Sequence, residues 1–215
     1  MSIAYHRDSR LIEAFEQRPY QGACPITARF LFVGLDANFC QRIDKSLVYC
    51  DILDYLNDGV GFWQRNEIHH PFLLADYSGD GKLFHQRFSD MKLSSDIAPL
   101  ISFVELVNRP TTGRNKIAVR DLDCGHIDWL RSVIDSPSLT AVFWTPTVLR
   151  VLMRKPQFKG ITQPVDPWYS PTELGRTKLS NKVDVYIHYH FSAYGRYDPK
   201  HHIRLVKNII ESRSV

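Results

Sequence analysis

The sequence predicts an α/β fold, a three-layer α/β/α sandwich with a central, mainly parallel four-stranded sheet. Three observations carry this. Four short apolar runs, near residues 28–34, 100–107, 139–144 and 184–190, are too short for helices and rich in the aromatic and β-branched residues that strands favour. The first run, Phe30-Leu31-Phe32-Val33, is apolar on both faces, as in a buried parallel strand. Helical patterns separate the runs, which is the signature of βαβ units.

Each element follows from local chemistry. Residues 8–17 form an amphipathic helix with Leu11, Ile12 and Phe15 on one side, and residues 19–25 read as a loop. Gly34 then breaks the first strand and lets the chain turn, leaving Asp36 just past the strand end or capping the next helix. Residues 44–57 carry Leu47, Val48, Ile52, Leu53 and Leu56 at helical spacing, capped by Asp44 and ended near Gly59. Residues 58–82, with Phe62, Trp63, His69, His70 and Phe72, show no period and read as a long aromatic loop, either covering one end of the core or serving a site. A helix over 83–92 precedes the second strand, which ends in the turn-rich segment 108–113. Helices at 126–135 and 147–154, the latter opened by Pro146, flank the third strand. Residues 156–181 are proline-rich and irregular, the fourth strand has period-2 character, and an amphipathic helix runs over 199–213.

Composition narrows the class. A chain of 215 residues fits one domain with a core at about 28–213. The net charge of +4 is compatible with nucleic acid without requiring it. Cys24, Cys40, Cys50 and Cys124 are scattered without metal or redox spacing, and neither a leader nor a run near 20 apolar residues occurs. The expectation is a reduced, cytoplasmic monomer with no membrane contact and no cofactor.

The strand ends carry the polar residues. Asp36 and Asn38 follow the first; Glu105, Asn108 and Arg109 the second; His190, Ser192, Tyr194 and Arg196 the last. In a parallel sheet these ends lie side by side, where ligands bind. At these positions the chain resembles the uracil-DNA glycosylase superfamily, most closely its mismatch-specific branch. Gly34-Leu35-Asp36-Ala37-Asn38 looks like the first motif of that superfamily. Phe103-Val104-Glu105-Leu106-Val107-Asn108-Arg109-Pro110-Thr111 is similar to the middle segment, and His190-Phe191-Ser192-Ala193-Tyr194-Gly195-Arg196 looks like the last.

The resemblance implies a metal-free hydrolase that extrudes a base from DNA and cleaves its N-glycosidic bond. In that chemistry Asp36 positions water and His190 stabilises the departing base. Asn38, Phe62 or Trp63, and Glu105 bind the base. Ser192, Tyr194 and Arg196 lie in the DNA-facing loop, and Arg109, Arg114, Lys116 and Arg196 meet phosphates. Three departures stand out: Ala37 and Phe191 replace prolines, and Glu105 falls where an asparagine is usual. An amide offers a donor and an acceptor, whereas an ionised carboxylate only accepts, so Glu105 implies altered base preference, lost activity or a protonated acid. Two other classes stay open: a silent nucleic-acid-binding protein on the same scaffold, and a hydrolase of nucleosides or nucleotides. A metal site built from His188 and His190 with His69 or His70 is a further, weaker reading. His201 and His202 read as a solvated pair.

Overall fold

The computed structural model describes residues 3–113, 115–159, 172–179, 183–192 and 199–214. In chain order the elements are α1 (Ser9–Gln17), β1 (Gln21–Gly22), β2 (Phe30–Asn38), α2 (Tyr49–Asn57), α3 (Gly59–Asn66), α4 (Lys82–Ser89), β3 (Ile101–Thr111), α5 (Cys124–Ile134), β4 (Ala141–Trp144), α6 (Pro146–Leu152), β5 (Gly175–Leu179), β6 (Val183–Ile187) and α7 (Lys200–Arg213). They build a mixed α/β fold around one sheet of order β1-β3-β2-β4-β6-β5. The four central strands are parallel; β1 and β5 add short antiparallel edges. The sheet therefore has six strands and not four. The two extra strands were hidden for different reasons. β1 is only two residues long, and β5 carries Arg176, Thr177 and Lys178 in a row inside the segment that reads as irregular.

β2 sits between β3 and β4, and its alternation divides the core. Leu31 and Val33 point into a cluster closed by Ile127, Leu130, Val133 and Ile134 of α5 and by Val148, Leu149 and Leu152 of α6. Phe30 and Phe32 point to the other face, which Trp63, Phe88, Ile203, Val206 and Ile210 of α3, α4 and α7 cover. A strand segment buried on both faces must be apolar at every position, which is how Phe30–Val33, the first half of β2, reads. A third cluster joins α1 and α2 to Phe39, Phe62 and Phe72.

Several local expectations change. Gly34 lies within β2 and makes no turn; the strand runs four residues further, to Asn38. Asp36 is thus a strand residue and caps no helix. β3 likewise continues through the expected turn to Thr111, absorbing extra residues where Asp36 pairs with Val107 but Asn38 with Thr111. The 44–57 helix is a short 3-10 turn (Ile43–Lys45) followed by α2, whose N-cap is Val48 and not Asp44. The aromatic segment contains α3. Its two glycines read as loop, but Asp58 caps the helix by accepting from the Gly61 N–H at 2.9 Å and pairs with Arg65. β6 is buried nearly throughout and does not alternate, and it ends before His188. His202 is buried and accepts from the Tyr189 N–H at 3.1 Å, so it is no solvated residue.

Phe32 is the hub of the aromatic face, with ring centroids 4.7 Å from Phe143, 5.3 Å from both Phe88 and Phe103, and 6.5 Å from Phe191. Phe32→Ala should cost about 3–5 kcal/mol in denaturant unfolding, since so many ring partners cannot close the cavity together. A loss below about 1 kcal/mol would show that this face repacks freely.

Candidate functional site

At the carboxyl end of the parallel strands lies a cavity of about 280 Å³. It is near the lower end of small-molecule pockets, roughly 300–1,000 Å³, so its size suits a base or nucleoside. β2 contributes Gly34, Asp36 and Asn38, β3 contributes Glu105, and the segment after β6 contributes His188, His190 and Ser192. His70, His85, Phe39, Phe72 and Phe84 form further parts of the wall. The three polar strand ends therefore meet in one cavity, because parallel strands bring their carboxyl ends to the same sheet edge.

Asp36 is held in place. Its Oδ2 accepts from the Thr111 hydroxyl at 2.6 Å and from the Asn115 amide at 3.1 Å. Asn38 spends its amide N–H groups on the Gly113 carbonyl, at 2.5 Å, and on Thr111, at 3.3 Å. The extension of β3 to Thr111 is what supplies these contacts.

Glu105 stands directly beside Gly34 in the parallel register. A Cβ on residue 34 would fall 2.6 Å from the Glu105 Cδ and 2.7 Å from its Oε1. The glycine is there to admit a carboxyl side chain. Burial, with a further contribution from the charge of Asp36, pushes the Glu105 pKa up to about 8. Behind it, the His126 ring of α5 donates from Nε2 to the Glu105 backbone carbonyl at 2.7 Å, pinning the strand.

Burial lowers the pKa of each histidine that lines the cavity. His190 is exposed at the cavity rim, and desolvation lowers its pKa despite the pull of Asp36. Its Nδ1 accepts from the Ser192 backbone N–H at 3.1 Å, so the proton of the neutral ring sits on Nε2. Phe191, in place of proline, is fully buried beneath it, 5.4 Å from Phe84, and its carbonyl accepts from Arg87 at 2.5 Å. His188 donates from Nδ1 to the Tyr189 carbonyl at 2.7 Å, and burial takes its pKa to about 3.

A second group of histidines escapes sequence reading because it is assembled from two segments. His69 Nε2 lies 3.1 Å from His85 Nδ1, and His85 stacks on His70 with centroids 3.6 Å apart. Burial lowers all three pKa values, that of His85 to about 3. Among the described residues no set of three or more His, Cys, Asp or Glu side chains is arranged to hold a metal ion.

Other expected site residues lie elsewhere. Phe62 and Trp63 are buried in two different core clusters and do not line the cavity. Their α3 face, once folded as helix, points inward. Phe39, Phe72 and Phe84, with Phe32 and Phe103 of the sheet, are the phenylalanines at the cavity; Phe39 was legible as the first aromatic residue beyond the β2 end. Arg109 is exposed away from the cavity, over the Tyr5 ring at 5.2 Å and beside a separate shallow depression with His126 and Trp129. Tyr194, Arg196 and Arg114 lie outside the described residues. No described helix is long and apolar enough to cross a membrane. The chain matches no protein-family model and no curated protein.

Gly34→Ala should destabilise by about 1–3 kcal/mol through overpacking against the Glu105 carboxyl. Glu105→Ala should relieve it, so a double-mutant cycle in urea should give a coupling above about 0.5 kcal/mol; additivity would show that the two residues do not compete for space. Acid should also destabilise the fold. His69, His70, His85 and His188 bind protons less well folded than unfolded, so their contribution is complete above the unfolded value of about 6.5 and is lost as pH falls below it. Each removes up to about 1.4 kcal/mol per pH unit, and the four outweigh Glu105, whose raised pKa acts in the opposite sense. Unfolding midpoints measured from about pH 7 down to about pH 4.5 should fall steeply, and less steeply in His85→Asn. Equal slopes would mean His85 is not held neutral.

Proposed function

We propose that this protein is a metal-free N-glycosyl hydrolase of the uracil-DNA glycosylase type. It would act on a uracil-like or damaged base flipped out of DNA into the cavity at the carboxyl end of β2, β3 and β6. The observation that carries the reading is the convergence of Asp36, Glu105 and His190 on one base-sized cavity. The three-layer α/β/α domain predicted from the sequence pattern fits helices packed on both faces of a parallel core.

Each group has a part suited to its chemistry. Cleavage leaves an oxocarbenium-like sugar and an anionic base. Asp36, oriented by Thr111 and Asn115, positions water and opposes the sugar charge. His190 carries its proton on Nε2 and is neutral, so it donates to a base carbonyl without first giving up a proton. Such a donor is strengthened as negative charge grows on the leaving base, which is where transition-state binding gains most. Phe39, Phe72 or Phe84 offers the face on which a base stacks, in place of Phe62 and Trp63.

Charge favours a base delivered on DNA over a free nucleotide. Among the described residues no lysine or arginine lines the cavity to hold a phosphate, while Asp36 does line it and would repel one. The segments leaving β2 and β3 carry exposed Arg42, Lys45 and Lys116, which suit a phosphate backbone kept outside.

The test is base release from oligonucleotides carrying uracil, hypoxanthine, xanthine or mismatched thymine. Release of one lesion is expected, falling about 10²–10³-fold in Asp36→Ala and in His190→Ala. No release from any substrate, with salt-sensitive DNA binding intact, would leave a silent nucleic-acid-binding protein. Cleavage of free nucleosides alone would indicate the small-substrate hydrolase.

A further inference from the structure

Glu105 is the polar group of the cavity whose surroundings are least usual. No described residue donates a hydrogen bond to its side chain, and no described lysine or arginine lines the cavity to balance a charge there. Gly34 opens the space in which the carboxyl sits. The titratable groups facing it are all unhelpful to an anion. Asp36 on β2 repels it. Tyr55 on α2 is fully buried and kept protonated. His70, His85, His188 and His190 on the other walls are depressed and neutral. His126 on α5 is occupied with the backbone carbonyl.

We infer that Glu105 binds its ligand as a neutral acid, its O–H donating and its carbonyl oxygen accepting, against the adjacent C=O and N–H of a lactam-bearing base such as uracil or hypoxanthine. The inference rests on the base-binding reading of the cavity but not on catalysis. A protonated acid supplies the same one-donor, one-acceptor edge as the asparagine that the sequence resemblance leads one to expect. The replacement therefore preserves recognition of a lactam and adds a dependence on pH. With its pKa raised to about 8, Glu105 keeps its proton at neutral pH and loses it in mild alkali. The anion then meets the base carbonyl with like partial charge.

Calorimetric titration of the intact protein with free uracil, from about pH 6 to about pH 9, tests this. Affinity should be level at the acid end and fall by about tenfold per pH unit above about 8. 3-Methyluracil, which lacks the N–H, should bind at least about tenfold more weakly at neutral pH. Glu105→Gln cannot ionise, so its uracil affinity, whatever its neutral value, should stay flat across the range. An infrared carboxyl band that is present at neutral pH, titrates near pH 8 and is missing in Glu105→Gln would identify the acid directly. A wild-type affinity unchanged across this range, a Glu105→Gln profile that falls like wild type, absence of uracil binding at every pH, or no such band would each overturn the inference. The band can be followed in wild type alone if the variant does not fold. A blank glycosylase assay with the pH-dependent binding intact would overturn the proposed reaction and leave this assignment standing; an active enzyme with pH-independent binding would do the reverse.

Discussion

Gly34 and Glu105 face each other across the β2–β3 pair, and the geometry of the cavity depends on that contact. Any side chain at 34 would occupy the place of the carboxyl. With the carboxyl in place, a buried acid lies one strand away from Asp36, and neither has a cationic partner lining the cavity among the described residues. Asp36 has two hydrogen-bond donors, whereas Glu105 has burial without donors, which raises its pKa and favours its protonated form. The two acids thus differ in the hydrogen-bond environment that each strand provides.

The histidines extend the same logic. A cavity wall that is uncharged yet polar is well suited to a neutral, hydrogen-bonding ring. His188 and His190 have their ring protons fixed by backbone groups, on opposite nitrogens: His188 donates from Nδ1, and His190 accepts there. The cavity therefore has a set pattern of donors and acceptors before any ligand arrives. Pre-set dipoles of this kind act on developing charge without reorganising.

Much of the frame was legible in the sequence. The four apolar runs became the four parallel strands, because only a strand buried on both faces reads as Phe30-Leu31-Phe32-Val33. Asp36, Glu105 and His190 were found by following strand ends, a rule that needs topology and not distance. What stayed hidden depended on partners far away in sequence. Gly34 reads as a turn until Glu105 is placed beside it. Phe62 and Trp63 read as loop aromatics until Asp58 caps α3 and turns them into the core. The His69–His70–His85 group needs α4 folded against the 69–72 segment. β1 and β5 are too short or too polar to declare themselves.

The proposed chemistry requires that the cavity between Gly34, Glu105 and His190 receive a base. A crystal structure with DNA bearing 2′-fluoro-deoxyuridine, whose fluorine slows oxocarbenium formation, would test it most directly. The expected result is the base flipped into the cavity, with its lactam edge on the Glu105 carboxyl and a base carbonyl on His190 Nε2. A base left stacked in the duplex, or DNA bound over the Arg109–Trp129 depression on the other side of β3, would contradict it.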